Sequence, residues 1–369
     1  MAVAIVTDST ACLSAELAAG GGIRIVPLRV VLGNRAADEA TDDDNATDDR
    51  GAADEPSASH KPGPAAEPGP AGDAGPVGEP GRAGEPGGAR EPGLAARSRV
   101  MRDPGGAGHG GGGDSAAWEP AECEDLADLA AAITVADVEA VLRAGGRVGT
   151  ASPSPDRFAA AYAAAAAAGA ESIVSVHVSA RLSGTLNSAS LAAATAPVPV
   201  RVVDSRTIGM GLGFAVLAAA GAAQAGRDAD AVAAAAAGRT ARLRSIFALD
   251  TPGYLQAGGR LERTPALPSS GLTVRPLLHI RDGRIVLLEK ARTPAGAIGR
   301  LEQLAAEFAA DQPVDLAVQY LGEVGRAAAF AARLAERIPG VRHIYLAAAG
   351  AVICAHTGPG MLGVVVAPY

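Results

Sequence analysis

The sequence predicts an α/β fold with at least one parallel sheet, followed by a second part with a mixed or antiparallel sheet. Two observations lead to this prediction. Strand-like and helix-like segments alternate through the first part of the chain, apart from one long interruption. The later part then carries six strand-like segments but only two clear helical patterns, which is typical of a sheet covered by helices on one face.

The first part begins with a β-branched strand over residues 2–8 and a helix over residues 14–19. Residues 23–32 form a second strand region, which Pro27 interrupts. Thr134 and Asp137 have the N-cap and N3 spacing of a capping box, which predicts the start of another helix. The other elements predicted in this part are a helix over 156–168, a strand over 172–178, a helix from about 183, a strand over 200–204 and helices over 212–224 and 228–239.

The later part has six predicted strands, rich in β-branched and leucine residues. They cover residues 246–250, 274–280, 284–290, 314–321, 341–349 and 363–367. Its two predicted helices cover residues 295–309 and 323–337. The predicted domains are therefore 1–34 with 121–240, and 241–369.

The interruption between residues 35 and 120 is rich in Pro, Gly and Asp and too poor in apolar residues to contribute to a core. We interpret it as a disordered surface insertion. Glycine recurs every third residue from Gly69 to Gly87, which is a collagen-like period, but the run is too short to support a triple helix.

Composition excludes several classes of function. A formal net charge of -8 argues against nucleic acid and anionic membrane surfaces as partners. The three cysteines are far apart and lack CxxC spacing, so the sequence predicts neither a disulfide framework nor a metal site, and we expect no cofactor. With no signal peptide pattern and no apolar run long enough for a bilayer, we expect a cytoplasmic protein without stable membrane insertion.

Polar clusters follow or precede several predicted elements. Residues 7–10 follow the first strand at the carboxyl edge of the sheet, where they either contact a ligand or cap a helix. Residues 149–154 come before a helix whose first turn suits Pro155, and alone they indicate only a capped helix start.

A third cluster, residues 179–185, follows the apolar strand over 172–178. Ser183 is expected at the N-terminus of the next helix, where free N–H groups and the helix dipole favour an anion. Because the segment 179–185 contains no GxSxG, Walker A or GxGxxG motif, a phosphate or carboxylate site is favoured there over a nucleophilic serine. His356, ahead of a Gly-Pro-Gly turn, is either a structural hydrogen-bonding residue or a functional one.

Nine stretches occur in the order IVTDST, IRIVPLRV, TASPSPDRF, HVSARLSGT, VVDSRTIGMGLG, LDTPGYLQAGGR, VRPLLHIRDGRI, EKART and AHTGPGMLGV. They cover nearly all of the chain outside residues 35–120. As a set they resemble the DegV family, the bacterial fatty-acid-binding proteins that serve fatty acid kinase.

This resemblance implies an α/β/α domain with a parallel sheet and a second domain with a mainly antiparallel sheet and helices. It also implies that Thr150, Ser183 and His356 hold the carboxylate of a long-chain fatty acid between the domains. Arg260 and Arg292 correspond to arginines associated with the head-group end and the kinase partner.

The chain departs from the family pattern at two places near these residues. Ala151 stands where the family usually has serine, and Ala180 with Arg181 replace a serine and a glycine. We expect Arg181 to add a cation near the carboxylate.

The function expected from the sequence is fatty acid binding and presentation of the carboxylate to a separate kinase chain for acyl phosphate formation. The protein alone is then not an enzyme, since the sequence has no phosphate-cradling motif of the usual kind for ATP and Mg²⁺. One alternative is an esterase or thioesterase with Ser183 as nucleophile and His356 as base. Another is a regulatory or scaffold protein in which the acidic insertion is the active part.

Overall fold

The computed structural model describes residues 2–33, 99–101, 133–261 and 275–369. All of them fall in one unit of contacting residues, Met1–Arg35 with Arg97–Tyr369. The domain boundary near residue 240 stays a prediction. Most of the predicted insertion, including its glycine repeat, lies outside the described residues.

Strands and helices of the described residues are numbered in chain order. The strands are β1 Val3–Asp8, β2 Ile23–Val26, β3 Arg29–Gly33, β4 Arg99–Met101, β5 Arg147–Ala151, β6 Ser172–His177, β7 Val200–Asp204, β8 Arg244–Ala248, β9 Arg275–Arg281, β10 Arg284–Ala291, β11 Val314–Tyr320, β12 Val341–Ala348 and β13 Leu362–Pro368. The α-helices are α1 Ala15–Gly20, α2 Val135–Arg143, α3 Pro155–Ala167, α4 Thr185–Ala193, α5 Met210–Gln224, α6 Ala229–Arg242, α7 Gly253–Ala257, α8 Pro294–Ala309, α9 Val324–Arg337 and α10 Ala351–Thr357. A 3₁₀ turn covers Ser9–Ala11.

The first part of the chain forms a four-stranded parallel sheet with the strand order β2–β1–β6–β7. Every residue of β6 is buried, as expected for a central parallel strand. Successive apolar residues face opposite sides: Ile5 packs on the side of α5, whereas Val6 packs on the side of Phe158 of α3. Helices therefore cover both faces, and the α/β/α prediction is confirmed.

The larger sheet has seven strands in the order β10–β9–β8–β13–β11–β12–β4. Its neighbours are antiparallel except for β11–β12 and β12–β4. One face packs on α8 and α9 through residues such as Leu301, Phe330 and Val364. The other face packs on α5 through Phe214 and Val365. The prediction of a second, mainly antiparallel sheet with helices is confirmed.

Residues 23–32, predicted as one interrupted strand region, form two strands that belong to different sheets. The strand β2 lies in the parallel sheet, while β3 pairs antiparallel with β5 in a separate two-stranded sheet. Pro27 lies between them, and it lacks the N–H that a continuous ladder requires. The chain therefore changes sheet at this proline.

The sequence missed four short elements. The strand β5 lies in a segment interpreted only as a helix start, and α7 and α10 are too short to show a helical period. The edge strand β4 lies within the predicted insertion and pairs parallel with β12.

Two local predictions are confirmed. Thr134 and Asp137 form a reciprocal capping box at the start of α2. Pro155 occupies the first turn of α3. No helix among the described residues is both long enough and apolar enough to span a bilayer.

Candidate functional site

An apolar cavity lies between the seven-stranded sheet, the loop before α4 and the helices α7 and α10. It contains about 800 Å³ of space not filled by atoms, including space open to solvent. Apolar side chains that line it include Leu182, Ile208, Phe247, Leu255, Ile285 and Met361.

The three residues expected to hold a carboxylate all line this cavity. Thr150, Ser183 and His356 come from β5, from the loop before α4 and from α10, and Arg260 lines the cavity beside them. Arg292 does not belong to the lining; it follows β10 and is exposed. The structure thus brings together four of the five residues singled out from the sequence.

Thr150 and His356 are joined by a hydrogen bond, with Thr150 Oγ1 and His356 Nε2 2.8 Å apart. On the other side of the imidazole, a Cβ at position 258 would stand 2.7 Å from His356 Nδ1, so only Gly258 leaves room for the ring. The ring is thereby fixed between a strand and the end of α7.

His356 is largely buried, and burial lowers its pKa from the ordinary 6.5 to about 4, with the nearby Arg260 guanidinium acting in the same direction. At neutral pH the imidazole is therefore uncharged. It can donate one hydrogen bond and accept another, and the positive charge at this end of the cavity is that of Arg260.

Ser183 lies just before α4 rather than within it, because the helix begins at Thr185 with Gly184 as N-cap. This differs slightly from the expected helix start near residue 183. The hydroxyl still caps the helix, accepting from the Thr185 N–H at 3.3 Å. It also lies 2.8 Å from Thr185 Oγ1 and 3.1 Å from Ser152 Oγ. Ser152 was not singled out from the sequence, and only its place in the polar segment 149–154 could have indicated it.

Arg260 is held in place by two backbone carbonyls. Its Nε donates to Leu182 O at 3.2 Å, and its Nη1 donates to Gly258 O. Leu182 precedes Ser183 in the chain, and Gly258 lies against the His356 ring, so the guanidinium is held close to both site residues. The cation at this end of the cavity is thus positioned by the fold before any ligand binds.

Arg181 was expected to place a cation near the carboxylate, and the structure puts it elsewhere. It is exposed and does not line the cavity. Its side chain runs along the turn between β9 and β10, with Cδ 3.5 Å from where a Cβ on Gly283 would stand. The loss of the family's glycine at this position therefore alters the surface beside the site.

The arrangement does not resemble a hydrolase triad. Ser183 and His356 share no hydrogen bond, and no carboxylate among the described residues bonds to His356. A nucleophilic serine needs a base within hydrogen-bond reach and a group that orients that base.

A hydrogen-bonded series of a serine, a histidine and an aspartate does occur in the parallel sheet. Ser175 Oγ lies 2.6 Å from His177 Nε2, and His177 Nδ1 lies 3.1 Å from Asp8 Oδ2. All three residues are 0% exposed, and Tyr162 donates to Ser175. No substrate reaches this serine, so we interpret the network as structural.

Asp8 connects this buried network to the cavity. It accepts from Thr10 Oγ1 at 2.6 Å, from the Thr10 N–H at 3.0 Å and from the Val178 N–H at 2.9 Å. Asp8 therefore caps the 3₁₀ turn that follows β1, while a ligand contact by residues 7–10 stays a prediction. Because Thr10 and Val178 also line the cavity, the same cap fixes part of its wall.

The lowered pKa of His356 makes ligand-free stability depend on pH. The unfolded chain, in which this pKa returns to its ordinary value, binds a proton that the folded chain binds only near pH 4. We expect the free energy of unfolding of the wild type to fall relative to His356→Gln as pH drops from about 6.5 to about 4. Urea denaturation of both proteins across this range measures the difference; parallel curves contradict the assignment.

Comparisons with known proteins place these features in a family. The model of the DegV family, described as "Uncharacterised protein, DegV family", matches residues 126–369. A DegV domain-containing protein of Streptomyces coelicolor is 45% identical over 219 residues, which are 59% of this chain and 78% of that protein.

Solved structures show the same fold. A DegV family protein from Thermus thermophilus, described as fatty acid binding, superposes with a TM-score of 0.69 at 24% identity, covering 100% of both chains. DegV from Bacillus subtilis, described as a fatty acid binding protein, superposes with a TM-score of 0.67 at 23% identity, also covering 100% of both chains. The chain belongs to the DegV family.

Proposed function

We propose that the protein binds a long-chain fatty acid, with the alkyl chain in the apolar cavity and the carboxylate at the end formed by Thr150, Ser183 and His356. The observation that carries this proposal is a largely apolar cavity whose lining includes the hydrogen-bonded pair Thr150 and His356 together with Ser183 and Arg260. The fatty acid binding described for the Thermus and Bacillus structures supports it.

The apolar body supplies the affinity. Each buried methylene contributes about 0.8 kcal/mol, so a chain of about 15 methylenes offers roughly 12 kcal/mol before the cost of association. Leu182, Phe247 and Leu255 are buried lining residues able to provide that contact surface.

The polar end supplies orientation. A carboxylate without hydrogen bonds is costly to bury, and charge-assisted hydrogen bonds offset that cost. Thr150 can donate its hydroxyl proton to the carboxylate if His356 Nε2 carries a hydrogen and donates to Thr150. Ser183 can donate likewise, since its oxygen already accepts from the Thr185 N–H. Arg260 favours the negative charge.

We further propose that the protein presents this carboxylate to a separate fatty acid kinase, which forms the acyl phosphate in the cytoplasm. Phosphoryl transfer needs ATP, Mg²⁺ and groups that hold the phosphates, and the sequence contains no Walker A motif. Arg292 is exposed and outside the cavity lining, which suits a residue that contacts a partner. In this proposal the protein is a substrate-presenting subunit.

Ser183→Ala tests the carboxylate site. The variant loses one charge-assisted hydrogen bond, so we expect fatty acid affinity to fall by about 1.5 to 3 kcal/mol, roughly tenfold to a hundredfold in Kd. Titration with a fluorescent fatty acid analogue measures this change. Ser190→Ala is the matched control, because the Ser190 hydroxyl is exposed and bonds only within α4.

The same proteins are assayed with a chromogenic acyl ester. Turnover by the wild type that disappears in Ser183→Ala, with unchanged fatty acid affinity, would establish the hydrolase alternative and overturn the binding proposal.

Arg292→Ala tests presentation to the kinase. We expect the variant to retain fatty acid and to lower acyl phosphate formation severalfold in an assay with a fatty acid kinase, ATP and Mg²⁺, since a rim charge acts mainly on the encounter with a partner. Arg227→Ala, which changes an exposed arginine between α5 and α6, is the control. If Arg292→Ala loses bound fatty acid, or forms acyl phosphate at the wild-type rate, the assigned role is wrong.

A further inference from the structure

Most polar side chains lining the cavity already have protein partners. Thr10 Oγ1 donates to Asp8, and Thr357 Oγ1 donates to Ile353 O at 2.9 Å. The hydroxyls and the imidazole of the proposed carboxylate site are bonded to one another or to neighbouring residues. Two other lining residues, Ser245 and Gln319, differ from this pattern.

Ser245 lines the cavity on β8 and is 7% exposed. Its hydroxyl has no hydrogen-bond partner among the described residues. Strand alternation places Ser245 on the same face of the sheet as Phe247, which also lines the cavity. Buried hydroxyls ordinarily form a hydrogen bond, and the Ser245 hydroxyl forms none with the described residues. It is therefore available to bond to a molecule in the cavity.

Gln319 lines the cavity on β11 and is 8% exposed. Its Oε1 accepts from the Met210 N–H at 3.0 Å and so caps α5, whose own N-cap residue, Gly209, has no side chain. The amide nitrogen has no partner within the described ranges, and it carries two hydrogens that can be donated.

The strand register places Ser245 away from the proposed carboxylate site. The chain runs from His356 at the end of α10 to Leu362, which pairs with Ala248 at the end of β8. Ser245 pairs with Val365 and lies three residues from Ala248 along β8. At about 3.3 Å per residue, this is about 10 Å from the pair formed by Ala248 and Leu362. An extended ligand with its carboxylate near His356 would pass Ser245 along its alkyl part.

We propose that the cavity takes an acyl chain bearing an oxygen substituent, a hydroxyl or an oxo group, at the position that meets Ser245. The Ser245 hydroxyl can donate to either group and accept from a hydroxyl, and the Gln319 amide can donate to an oxygen placed nearer β11. An alkyl chain without an oxygen substituent can bond to neither side chain. This inference rests on the proposed fatty acid binding and specifies its substrate class.

Binding of octadecanoic acid and of hydroxyoctadecanoic acids with the hydroxyl at successive carbons tests the proposal, by competition against a fluorescent fatty acid. We expect a narrow set of isomers to bind about fivefold more tightly than the parent acid, the effect of one net hydrogen bond. In Ser245→Ala the preferred isomers lose this advantage over the parent. In Ser245→Thr, which keeps a hydroxyl, the advantage remains.

The control Ser190→Ala leaves the preference unchanged, because that hydroxyl bonds to Leu186 O outside the cavity. Equal or weaker binding of every hydroxy isomer relative to the parent overturns the inference while leaving fatty acid binding intact. A preference that survives in Ser245→Ala also overturns it. Absence of binding for the parent and all isomers overturns the proposed function itself.

Discussion

The hydrogen bond between Thr150 and His356 is the contact on which the site depends, because it joins parts of the chain that are 206 residues apart. Thr150 belongs to β5, whose only paired neighbour among the described strands is β3. His356 belongs to α10, which leads into β13 at the centre of the seven-stranded sheet. The bond therefore links a peripheral two-stranded sheet to the wall of the cavity.

Burial of this contact also sets its chemistry. An exposed histidine without a charged neighbour would be partly protonated near neutral pH, whereas burial and the charge of Arg260 lower the pKa of His356 and keep its ring uncharged. A neutral ring can donate to Thr150 and leave the threonine hydroxyl free to donate to a ligand oxygen. The cation is supplied separately by Arg260, which two backbone carbonyls hold in place. Hydrogen bonding and charge thus come from different residues.

The sequence predicts the long, periodic elements well and the short ones poorly. The strand β6 is a continuous apolar run, and α9 has a strong helical period, so both are evident without a structure. The residues Thr150 and His356 lie in β5 and α10, which are too short for any period to appear. Family motifs identified these residues, but their mutual hydrogen bond depends on pairing between distant segments, which local patterns do not contain.

The position of the carboxylate is the central claim, and a crystal structure of the protein with octadecanoic acid tests it most directly. The account predicts carboxylate oxygens within about 2.7–3.2 Å of Thr150 Oγ1 and Ser183 Oγ, with the alkyl chain passing Phe247 along the sheet. A carboxylate bound at another end of the cavity, or a fatty acid bound outside it, would contradict the account.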